Sequence, residues 1–132
     1  MNEEQKVDLT YKEDLSIAVM NLISLEEHLA FTAMKTRRDI YLEILKETRK
    51  IRINLMKKLV ANTEGELWCI SKHLLAATMR LMETSTKYLN PDPKRAMEIE
   101  ANAFDLYSLF WFLQKVGEKV VVKKSRKKAE KK

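Results

Sequence analysis

The chain has 132 residues, 45% of them hydrophobic, with two Gly, two Pro and one Cys. That length and apolar share suffice for a single domain with a buried core, so neither a disulfide framework nor a structural metal is required for stability, and the lone Cys69 excludes an internal disulfide. The formal net charge of +6 is unevenly placed: residues 119–132 hold eight Lys or Arg against Glu130, a net of +7, which leaves the other 118 residues at −1.

The chain opens MNEEQKVD. The absence of a hydrophobic leader, together with single-cysteine usage, predicts a reduced, cytoplasmic setting. A first helix is predicted over about 10–35, started by Thr10 with Glu13 at capping-box spacing. Within it, LSIAVMNLISLEEHLAFTAM (15–34) is long enough to suggest a membrane span, but Glu26 and Glu27 at its centre would each cost about 2.5–3.5 kcal/mol to insert. It reads as a core helix, with Leu15, Val19, Leu22, Leu29 and Ala33 on the buried face.

Thr36 with Asp39 predicts a second helix over about 37–60, buried through Tyr41, Ile44, Ile51, Leu55 and Leu59. No Gly or Pro separates Met34 from Asp39, so the alternative is one continuous kinked rod. Nine basic residues against three acidic ones between Lys35 and Lys58 predict a positive helical surface. Thr63 with Glu66 starts a third helix, about 64–89, with Leu67, Ile70, Leu74 and Leu81 inward. Asp92 before Pro93 starts a fourth, about 93–116, which Gly117 would end as a C-cap. Its stretch FDLYSLFWFL (104–113) is apolar around most of its circumference, as expected of a central helix or one covered by a partner.

Four starts 26, 27 and 29 residues apart leave helices of similar length joined by short links. The predicted fold is therefore all-α, an antiparallel up-down-up-down four-helix bundle over 1–118, followed by a flexible basic tail over 119–132.

Three groups of polar residues are candidates for a site. The first is a buried layer. Counted from their caps, Glu26 and Glu27 stand level with Met79 and Arg80, and the antiparallel helices bring Arg49 and Asp105 to about the same height, with His28 adjacent. Carboxylates buried together with arginines stay charged only when paired, and such a layer pins helix register. The second is Glu66, Cys69 and His73, on one side of the third helix and of types that ligate zinc; the other reading makes Glu66 a capping acid, Cys69 a small buried hydrophobe and His73 a hydrogen-bonded core imidazole. His28, the only other histidine, falls about 12 Å away along the bundle axis, too far to complete the set. The third is the tail KKSRKKAEKK, where Lys123, Lys124, Arg126, Lys127 and Lys128 suit nucleic-acid phosphates without reading sequence, or else simply remain solvated. No cofactor is implied.

No Glu-x-x-His pair of the di-iron type, no phosphate-binding glycine loop and no nucleophile elbow occurs. GELWCISKHLLAATMRLM (65–82) resembles a stretch of small all-helical archaeal proteins without an established activity, and the similarity extends over the four helices. NPDPKRAMEIEANAFDLYS (90–108) is similar to a single tetratricopeptide-type hairpin. The reading that follows is a non-enzymatic binding or assembly module. Its aromatic fourth helix would meet a protein partner or a second copy, and its tail RNA or DNA. The alternative is a bundle that binds a metal or small ligand through buried Glu, His and Cys.

Overall fold

A computed structural model describes the backbone of residues 1–62 and 65–130 and the side chains of that set as far as Gly117. The described residues form four helices and no strand: α1 Glu3–Thr36, α2 Asp39–Leu59, α3 Gly65–Thr86 and α4 Pro93–Glu130. The all-α, four-helix class expected from the caps is what the chain adopts. None of these helices, over the described residues, is long and apolar enough to cross a membrane. The chain divides into two compact units, Met1–Leu59 and Val60–Lys132, each an antiparallel pair of consecutive helices.

In the first unit, α1 begins seven residues before the predicted start. Asn2 caps it, accepting from the Gln5 amide at 2.8 Å while the Gln5 side chain accepts from the Asn2 amide at 3.0 Å. Asn is a stronger cap than Thr, and nothing between the two positions breaks a helix. Thr10 lies inside the helix instead, its hydroxyl donating back to the Lys6 carbonyl at 2.9 Å. The joint left open in the sequence is a true break: Arg37 turns left-handed, with φ of 57°, and its amide closes on the Ala33 carbonyl at 2.8 Å. Thr36 therefore ends α1 rather than starting α2. Its hydroxyl donates to the Thr32 carbonyl and accepts from the Arg38 amide.

The buried face of α1 carries Leu15, Ser16, Val19, Met20, Ile23, Leu29 and Ala33. That of α2 carries Thr48, Arg52, Met56 and Leu59. Leu59 is buried as expected, but Arg52 and Met56 take the places expected of Ile51 and Leu55, one residue or about 100° round the helix, and Ile44 and Ile51 are exposed. Glu26 and Arg52 are opposite each other across this pair, so stepping antiparallel from them puts Leu59 level with Val19. Residues 3–14 of α1 consequently run past the end of α2, and all of them but Lys12 are exposed.

In the second unit, Gly65 opens α3 with φ of 71°. The predicted cap Thr63 lies outside the described residues. Asp92 starts α4 as expected, its carboxylate accepting from the Arg95 amide at 3.2 Å ahead of Pro93. The buried positions of α3 are Ser71, Leu75, Thr78 and Ser85, so Ser71 and Leu75 take the places expected of Ile70 and Leu74, Ile70 is exposed, and Leu67 and Leu81 are half-buried. Facing them on α4 are Ala96, Ala103, Phe110, Gln114 and Gly117. Two strict seven-residue repeats thus meet, 71/78/85 against 96/103/110/117, and all but Phe110 are small. Gly117 is no C-cap: it sits within α4 without a left-handed φ, and a Cβ there would run into the Leu67 side chain. Its lack of a side chain lets α3 approach.

Candidate functional site

The best-formed polar contact lies between α1 and α2. Arg52 donates to both oxygens of Glu26, Nε to Oε2 at 2.8 Å and Nη2 to Oε1 at 3.0 Å, and its Nη1 lies 3.8 Å from the Met56 sulfur. This forked pairing uses the planar guanidinium fully. The Arg52 side chain is 3% exposed and that of Glu26 12%, so both charges are largely withdrawn from water. Glu26 falls on the seam of α1, three residues after Ile23 and before Leu29, and Arg52 falls four before Met56 and four after Thr48 on the seam of α2.

A second node ties the entry of α3 to α4. Gln114, 6% exposed, accepts from the Ala61 amide at 3.0 Å and donates to the Ser71 hydroxyl at 2.8 Å and the Phe110 carbonyl at 3.2 Å. The buried hydroxyls are satisfied locally: Thr78 donates to the Leu74 carbonyl, Ser85 to the Met82 carbonyl, and Ser85 also meets Glu100. No buried side-chain nitrogen or oxygen among the described residues lacks a partner. These polar groups are consumed by the fold, and none is aimed at an empty space.

The predicted buried layer is accordingly corrected. Only Glu26 of that set is withdrawn from solvent, and the arginine it meets is Arg52 rather than Arg49 or Arg80. Glu27, His28, Arg49, Arg80 and Asp105 all occupy exposed positions. Counting Glu26 and Glu27 from Thr10 contributed to this error, because Thr10 lies inside α1 and does not begin it. Arg52 carried no distinguishing signal in the sequence, being one of nine cations between Lys35 and Lys58 until the seam of α2 is known.

Glu66, Cys69 and His73 are exposed as well, and no group of three or more His, Cys, Asp or Glu among the described residues is placed to hold a metal ion. Lys123, Lys124, Arg126, Lys127 and Lys128 fall within α4 but outside the described side chains.

What the described surface does present is apolar. Phe110 is fully buried in the α3–α4 seam, and Trp111 is half-buried with its ring edge-on to Phe110 and Tyr107. Phe112 is 64% exposed, and with Phe104 at 69% and Met97 at 71% it marks a second face of α4, turned away from the seam. No family model, curated protein or solved structure matches the chain. The class is therefore set by the fold alone: an all-α protein of two helical hairpins.

Proposed function

We propose that this chain is a non-enzymatic assembly module that self-associates through the outer face of α4 and contacts nucleic acid through the basic segment 119–132. The observation that carries the assembly half is the exposure of Met97, Phe104 and Phe112 on one helix face, with Ala101 between them and the seam residues Ala96, Ala103 and Phe110 on the other side. Large apolar side chains grouped on one face gain more from covering than single ones scattered over a surface. A second copy offers the same face in return, the self-complementary arrangement of a twofold dimer. The nucleic-acid half rests on composition: eight cations in fourteen residues, without aromatic side chains, suit phosphate contact through counterion release and leave base identity unread.

The double substitution Phe104→Ser/Phe112→Ser is expected to weaken self-association at least tenfold while leaving helical content intact; unchanged association contradicts the assembly half. For the other half, the chain lacking residues 119–132 is expected to lose retention on RNA and DNA at low salt. Equal retention of both forms would remove nucleic acid from the reading.

A further inference from the structure

The first unit carries opposite charge at its two ends, and each end pairs that charge with exposed apolar side chains. At one end, residues 1–14 hold five carboxylates against two lysines, a net of −3. This is the part of α1 that runs past the end of α2. Val7 and Tyr11 stand one turn apart, 68% and 50% exposed, and shallow surface depressions beside them are lined by Glu4, Asp8 and Asp14. A three-turn helical arm without a neighbouring helix in its own unit is marginal in water, since short helices draw most of their stability from packing.

At the other end, the α1–α2 connection holds Lys35, Arg37 and Arg38 against Asp39. A groove of about 350 Å³ opens there, with Ala30, Ala33, Met34 and Leu42 supplying apolar walls and Arg37, Arg38 and Asp39 the charged ones, cations outnumbering the single carboxylate. Met34 and Leu42 are half or more exposed. The arm thus offers an apolar pair flanked by carboxylates, and the connection offers an apolar groove flanked by arginines. The two are chemically complementary.

They cannot meet within one chain. Tyr11 and Met34 sit on the same straight helix, 23 residues and about 35 Å apart. We infer that the acidic arm of α1 docks in the basic groove at the α1–α2 connection of a second copy, Val7 and Tyr11 entering the groove and Glu4 and Asp8 pairing with Arg37 and Arg38. Two first units lying antiparallel satisfy both contacts at once, arm to groove and groove to arm, so that this contact is self-complementary and leaves no unfilled arm or groove in the pair. This contact uses none of the α4 residues and stands apart from the reading given above.

Charge reversal on the full chain tests it. The arm variant Glu4→Lys/Asp8→Lys and the groove variant Arg37→Glu/Arg38→Glu are each expected to associate at least tenfold more weakly than the original chain in sedimentation velocity at low salt, with helical circular dichroism unchanged. Mixed in equal amounts they are expected to regain association as a heterodimer, because the reversed arm then meets the reversed groove and the original arm meets the original groove. Association of either variant alone at the original strength, or a mixture no tighter than its components, would overturn the contact. If the charge variants associate normally while Phe104→Ser/Phe112→Ser does not, the end-to-end contact is wrong and the α4 interface stands.

Discussion

At the scale of single residues, the Glu26–Arg52 pair is the feature with the largest expected energetic consequence. Truncating one partner of a buried ion pair leaves the other charge without its counter-charge, which costs about 3–5 kcal/mol, whereas replacing both with apolar side chains of similar volume is often neutral or stabilising by about 1–4 kcal/mol. Chemical denaturation of Glu26→Ala should therefore show a loss of about 3 kcal/mol or more, and Glu26→Leu/Arg52→Met a loss near zero or a gain. A loss below about 1 kcal/mol in Glu26→Ala would mean that Arg52 finds water. The presence of a buried carboxylate within residues 15–34 was legible, because only three ionisable groups interrupt that stretch. Its partner was not. Arg52 looks like one of nine cations on a basic helix until the seam of α2 is known, and the seam is itself defined partly by Arg52 and Thr48, residues that hydropathy assigns to the surface.

At the scale of elements, the α3–α4 pair shows how small residues hold two helices together. Ser71, Thr78 and Ser85 recur every seventh residue opposite Ala96, Ala103 and Gly117, and strict seven-residue spacing keeps one face in contact along a helix pair. Small side chains let backbones approach, and the hydroxyls lose nothing by burial because each has a carbonyl or Gln114 to bond. Ala103→Leu should then overpack the seam and cost about 1–3 kcal/mol, measured as a lower denaturation midpoint at unchanged slope. Equal stability would show that the helices separate easily. The number and order of helices could be read from the sequence, although among the described residues only the Asp92 cap stands where expected. The buried stripes of α2 and α3 could not, because serine, threonine and arginine on a seam are indistinguishable by hydropathy from the same residues in solvent. Gly117 misled for a related reason: a glycine near a helix end reads as a cap, and only the proximity of Leu67 reveals a close approach.

At the scale of the whole molecule, each unit is closed by its own seam, the first by an ion pair among apolar residues, the second by small side chains and Gln114. The seams leave large apolar side chains uncovered. On α4, Met97, Phe104 and Phe112 face outward, and on α1 and α2 the exposed apolar residues include Phe31, Met34, Ile40, Ile44 and Ile51. The sequence already marked the fourth helix as apolar around its circumference, and the structure divides that circumference into a seam face and an outer face. Covering apolar area contributes roughly 25 cal/mol per Å² before the costs of association are subtracted. Net charge works against it: the +6 of the chain is concentrated in 119–132, so added salt should screen repulsion between copies of that segment. Sedimentation equilibrium of the intact chain over a wide concentration range tests the central claim most directly. A weight-average mass that rises with concentration from the monomer value of 15.5 kDa to twice that value or more is the predicted result, and a mass that stays at the monomer value at every concentration would contradict it.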